Sequence, residues 1–122
     1  MEMARDREKA GMGMQEGFVV LSSTVGSDAR ARDIASALVS ARLAACVQVT
    51  PVESTYRWRG EVQAGPEFLL QAKTTRQRLA EAEALILRLH DYELPEILVL
   101  PVLGGSAAYL DWIDANTRPE EA

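Results

Sequence analysis

The sequence predicts a single α/β domain of the α+β kind, with elements in the order β-α-β-β-α-β, an antiparallel sheet and a short C-terminal helix. Three observations predict it. Apolar residues recur at helical spacing in two segments, near 28–43 and 76–90. Between them, residues 46–75 are the part richest in β-branched and aromatic residues, split by a turn signal at Arg59-Gly60-Glu61. Two apolar runs, 18–21 and 97–103, bracket the whole arrangement.

The first run, Phe18 to Leu21, ends in Ser22, Ser23 and Thr24 and is bounded by Gly26, which makes it a first strand. Ser27 or Asp28 can cap the helix that follows. Ala31, Ile34, Ala35, Leu38 and Val39 share one side of it, with Arg30, Arg32, Asp33, Ser36 and Arg42 elsewhere, so it extends to about Leu43. In the long β segment, Pro51 cannot donate to a ladder and predicts a bulge or an edge. Gly65-Pro66 predicts an irregularity in the second strand. Phe68, Leu70 and Ala72 fall on one face of that strand.

Thr75 is placed to cap a second helix that turns Leu79, Ala82, Ile86 and Leu89 inward and Arg76, Arg78, Glu81 and Arg88 outward, ending near His90. A Pro-containing connector, 92–96, leads into the buried strand at 97–103, closed by Gly104-Gly105. Ser106 then caps the last helix, with Tyr109, Trp112 and Ile113 on one side. This order is the ferredoxin-like split β-α-β sandwich, in which both main helices cover one face of the sheet. The domain spans 18–116. Residues 1–17 mix three bases and four acids with Gly11-Met12-Gly13-Met14 and have too few large apolar residues to order, so they are expected to form a tail, as are 117–122.

Helices on one face should leave strands that alternate apolar and polar, yet the first and last strands are apolar on both sides. With no further element long enough to cover the open face, the cheapest cover is another copy of the same sheet across a symmetric interface.

Composition narrows the partners. The 122 residues are 48% hydrophobic and 25% charged, the balance of an ordinary globular domain, and the net charge of -5 disfavours nucleic acid. No stretch is apolar for long enough to span a membrane, and the N-terminus lacks an apolar signal region. A lone cysteine, Cys46, excludes an internal disulfide, and the cytoplasm is the default compartment.

Several local patterns identify a relationship. Leu43-Ala44-Ala45-Cys46-Val47 after the first helix, Tyr56-Arg57-Trp58-Arg59-Gly60 at the hairpin, Lys73-Thr74-Thr75 before the second helix and Tyr92-Glu93-Leu94-Pro95-Glu96 before the last strand, with Tyr109-Leu110-Asp111-Trp112 in the final helix, resemble the CutA family of divalent-cation tolerance proteins in order and spacing. The resemblance covers about residues 18–116. It implies a homotrimer of ferredoxin-like subunits, similar in architecture to the PII signalling trimers, a part in the response to divalent metal ions including copper, and no established catalytic reaction.

In bacterial relatives the copper ligands resemble a cysteine at the position of Ser22 and a His-His pair at the positions of Leu89 and His90. Only His90 remains here, so copper or another divalent cation would bind through His90, or through symmetric copies of His90 or Cys46 around a trimer axis. Against this stand the plainer roles of a helix-end histidine and a small buried cysteine. Met1, Met3, Met12 and Met14 offer thioethers, although start and leader methionines produce the same pattern.

Tyr56, Trp58, Lys73, Tyr92, Glu96 and Trp112 are candidates to line a pocket at the subunit seam for a small anionic ligand or metabolite. They equally suit an aromatic trimer seam, and Lys73 and Glu96 suit an ion pair across adjacent strands. No Gly-rich phosphate loop, H-E-x-x-H or second histidine supports an enzyme. A Lys73, Tyr92 and Glu96 site is the one catalytic alternative. A trimeric signalling protein or scaffold, with a metabolite or protein partner at its seams, is the main alternative to metal tolerance.

Overall fold

The computed structural model describes residues 17–120. The expected N-terminal tail, with its four methionines, lies outside the described residues apart from Gly17. Four strands and three helices follow in the order β1 (Phe18–Val25), α1 (Asp28–Ser40), β2 (Cys46–Trp58), β3 (Glu61–Thr75), α2 (Arg76–Leu89), β4 (Leu98–Pro101) and α3 (Ala107–Thr117). The sheet is antiparallel throughout, in the order β2-β3-β1-β4.

One face is closed within the chain. Leu21 and Val25 of β1 and Leu70 and Ala72 of β3 meet Ala31, Ile34 and Leu38 of α1 and Ala82, Leu85 and Ile86 of α2 in one buried cluster. Strand alternation puts Val20, Ser22 and Thr24 of β1, Lys73 of β3, Cys46 and Tyr56 of β2 and Leu98 and Leu100 of β4 on the other face. There Leu98 and Leu100 keep 58% and 47% of their surface exposed.

β1 runs four residues beyond the expected apolar stretch, because Ser22, Ser23 and Thr24 are buried and paired with β3. Helix α1 stops at Ser40, short of the expected Leu43. Arg42 takes a left-handed φ of 60°, and the N–H groups of Arg42 and Leu43 turn back to the carbonyls of Val39 and Leu38. This is a Schellman ending with arginine where glycine is usual. The Arg42 guanidinium in turn holds the last carbonyls of α3, donating from Nη2 to Ala115 O at 2.6 Å and from Nε to Arg118 O at 2.7 Å.

The β2–β3 hairpin closes through Arg59 and Gly60, both with positive φ (52° and 83°), the pair of signs a two-residue type I′ turn requires. Pro51 lies on an edge strand, one of its two expected outcomes. The expected irregularity at Gly65-Pro66 does not occur: Gly65 pairs with Ser54 and Pro66 with Glu53 in unbroken register. Beyond Phe68, β3 has no β1 neighbour, so one side of the strand is itself an edge there and tolerates a residue without an N–H.

In α2 the expected inward positions hold for Ala82 and Ile86, and Leu79 and Leu89 pack against the core, which also takes Leu85. Arg78, expected outward, is buried instead. Its Nε donates to Arg42 O at 3.4 Å and its Nη1 pairs with Glu81 at 3.2 Å, so the charge is met as it enters the protein. In α3 the buried side is Leu110, Ile113 and Thr117, at i, i+3 and i+7, while Tyr109 and Trp112 stay exposed and stack on each other at 5.5 Å. Thr117, expected to open the C-terminal tail, therefore belongs to the packed domain.

Candidate ligand cleft

The connector between α2 and β4, residues 90–97, has no regular structure of its own, and side chains strap it to the open face. His90 leaves the helix with its ring enclosed. The backbone N–H of Tyr92 donates to Nδ1 at 3.1 Å, so Nδ1 is an acceptor, and Nε2, 2.8 Å from the carbonyl of Thr24, is the donor. Arg30 reaches across from α1 to the Leu89 carbonyl (2.6 Å) and to Asp91 (3.2 Å). Arg59 at the hairpin tip meets Glu93 at 3.0 Å, and the hydroxyls of Ser22 and Thr24 both donate to Glu96 at 3.4 Å.

Tyr92 is the central strap. Its ring lies over Gly26, where an added Cβ would come within 3.2 Å of the phenol oxygen, and its hydroxyl donates to Glu67 of β3 at 2.8 Å. Burial first, then the bond to the Glu67 carboxylate, push the phenol up to about 12.

Between this strapped connector and the hairpin opens a cleft of about 860 Å³. Of the six predicted pocket residues, the structure brings Tyr56, Trp58, Tyr92 and Glu96 to its wall. Lys73 and Trp112 do not line it. They cluster around Tyr109 of α3 instead, with the Lys73 ammonium 3.3 Å from its hydroxyl and 5.5 Å from its ring centroid. The predicted Lys73–Glu96 ion pair is absent among the described residues, because each side chain has its own partners.

The cleft also holds Glu67, Asp91, Glu93 and Arg57, which the sequence reading missed. One signal for Glu67 was available: a two-residue turn at Arg59-Gly60 fixes the hairpin register, and that register sets Glu67 on the face of Tyr56 and Trp58.

For a metal the geometry offers little. Both ring nitrogens of His90 are hydrogen-bonded, Leu89 packs against the core, the Ser22 hydroxyl serves Glu96, and Cys46 is a half-buried free thiol at the start of β2. Among the described residues, no three His, Cys, Asp or Glu side chains stand close enough to hold an ion.

The fold and its one open face define a small split β-α-β protein whose strapped connector frames a cleft. The sequence model of the CutA1 divalent ion tolerance protein family matches residues 19–116, and the chain belongs to that family. A divalent-cation tolerance protein CutA from Thermus thermophilus is 46% identical over 99 residues, covering 80% of this chain and 96% of that protein. A chloroplastic CutA from Arabidopsis thaliana is 38% identical over 82% of this chain, which spans 56% of that longer protein. Among solved structures, the T. thermophilus protein superposes with a TM-score of 0.80 at 45% identity, covering 83% of this chain and 99% of that one. CutA from Synechococcus elongatus superposes with 0.81 at 36%, covering 85% and 92%. It has also been solved in complex with Bis-Tris. Relatives carry names from different compartments, chloroplastic in two plant proteins and periplasmic in an archaeal one. No helix among the described residues is long and apolar enough to cross a membrane.

Proposed function

We propose that the chain is a non-catalytic, cytoplasmic homotrimer that takes part in the response to divalent metal ions, and that it does so without a strong metal centre inside one subunit. The observation that carries the assembly is the open face: Leu98 and Leu100 of β4 are exposed there and continue the apolar surface of Phe18 and Val20, while β4 itself is an edge strand. An edge strand of this kind is a hazard for a lone molecule and a ready interface for copies of itself. Family membership supports the tolerance role.

Copper, in this reading, binds weakly, at sites shared between subunits. The hydrogen bonds at both His90 nitrogens argue against that residue as a ligand, since a metal would have to displace either the Tyr92 N–H or the Thr24 carbonyl. A calorimetric titration of the assembled protein with copper and zinc, repeated on His90→Ala, tests this. Weak heats unchanged by the substitution are expected; tight binding abolished by His90→Ala would overturn it.

The cleft favours a second, compatible reading, in which the trimer works as a PII-like sensor of a small ligand. A relative that forms a complex with Bis-Tris supports small-molecule binding in this family.

A further inference from the structure

The chemistry of the cleft wall bears on what can enter it, and it rests on the second reading above, that the cleft is a ligand site. Four carboxylates line the cleft and, among the described residues, Arg57 is the one cationic side chain on its wall. Asp91 and Glu93 are already matched, by Arg30 and Arg59. Glu67 and Glu96 are not. Glu67 accepts from the neutral Tyr92 hydroxyl and Glu96 from the hydroxyls of Ser22 and Thr24, and among the described residues neither has a lysine or arginine partner. Arg57 directs its Nη1 to the Gly60 carbonyl at 3.3 Å. Both carboxylates are half-buried, where an uncompensated charge is less well solvated than at the open surface. The expected anionic ligand would meet repulsion here.

A cation is therefore called for, and its size can be narrowed. Because no three acidic or other ligating groups converge on one point among the described residues, a bare metal ion finds no coordination sphere. A cation with a body of several atoms can instead reach Glu67 and Glu96 separately. The rest of the wall suits such a body: the aromatic side chains of Tyr56, Trp58 and Tyr92 line it, the Trp58 ring already carrying a cation, the Arg59 guanidinium, 5.5 Å from its centroid, and Ser54 and Thr55 line it beside them.

We infer that the cleft between the β2–β3 hairpin and the 90–97 connector is a binding site for a small organic ammonium ion, held by Glu67 and Glu96 and by the aromatic side chains of Tyr56, Trp58 and Tyr92. Recognition is by charge and by aromatic contact, so hydroxyl-bearing amines fit as well as simple alkylammonium ions. Asp91 and Glu93 shape the connector through their arginine partners and contribute little to the ligand.

Calorimetric titration of the full chain with triethanolammonium in phosphate buffer, with citrate as the anionic counterpart, tests the site, and light scattering on the same samples reports the assembly. Saturable triethanolammonium binding that weakens with added salt, with no citrate binding, is expected. Glu67→Gln and Glu96→Gln should each weaken it about tenfold and Trp58→Leu about threefold, while Lys73→Gln, outside the cleft, should leave it unchanged. Circular dichroism of each variant separates lost binding from lost folding. A trimer that fails to bind triethanolammonium, binds it equally well as Glu67→Gln and Glu96→Gln, or prefers citrate or zinc at these residues overturns the inference and leaves the trimer standing. A monomeric mass would overturn the trimer, whatever the titration gives.

Discussion

The two faces of this sheet are built from the same strands and end in opposite states. On the helix side, Val19, Leu21 and Val25 of β1 are buried, and the core of β1 and β3 closes beneath α1 and α2, leaving Val99 and Pro101 of the edge strand uncovered on that side. On the other side, Phe18 and Val20 of the same strand are only half-covered, and β4 beside them presents Leu98 and Leu100 to solvent. One face is covered by helices, and the other is left bare within the chain. On the proposed assembly, the difference divides folding from association: the helices supply the stability of the subunit, and the open face would supply its reason to associate.

Substitutions can sharpen that division. The largest effect is expected at Leu38, fully buried against the helix face, where Leu38→Ala should cost about 2–5 kcal/mol in chemical denaturation, whatever the protein concentration. Leu98→Ala is the contrasting case. Within one chain an exposed truncation of this kind is worth at most about 0.5 kcal/mol. In an assembly that buries the residue, Leu98→Ala should cost well over that, and the cost should appear as a stronger dependence of unfolding on concentration. Equal, small and concentration-independent effects at Leu98 would break the comparison.

A smaller effect marks the cleft end of the open face. The Tyr92 phenol has its folded-state value raised to about 12 from an unfolded value of 10.0, so the native state keeps a proton that the unfolded chain loses. The stability this contributes is complete below pH 10 and is lost as the pH rises toward 12. Ultraviolet titration should show one tyrosine ionising near pH 12, absent in Tyr92→Phe, and that variant should lose stability less steeply over the same interval. Ionisation of every tyrosine near pH 10 would mean that the strap to Glu67 does not hold in solution.

Much of this was legible in the sequence. Period and turn chemistry located the helices and the hairpin, because Ile34 and Leu38, or Arg59-Gly60, depend on neighbours a few residues away, whereas the buried strand expected at 97–103 shrinks to Leu98–Pro101 and is exposed within the chain. The apolar character of both sides of the first and last strands already implies the need for a cover. What escaped the sequence depends on long-range partners. Arg78 looked like a surface charge until the Arg42 carbonyl and Glu81 received it. Lys73 was expected to line the pocket, but its place in β3 brings it to Tyr109 instead. The acidic lining of the cleft escaped for the same reason: the sequence singled out Lys73 and passed over Glu67, whose placement depends on the hairpin register and on a tyrosine 25 residues away.

The most direct test of the divided sheet is the mass of the protein in solution, measured by light scattering over a range of concentrations for the native chain and for Leu100→Asp, which sets a charge on the open face and leaves the helix face untouched. The account predicts three times the chain mass for the native protein and a folded single-chain mass for the variant. A native protein that runs as a well-folded monomer at every concentration would contradict it.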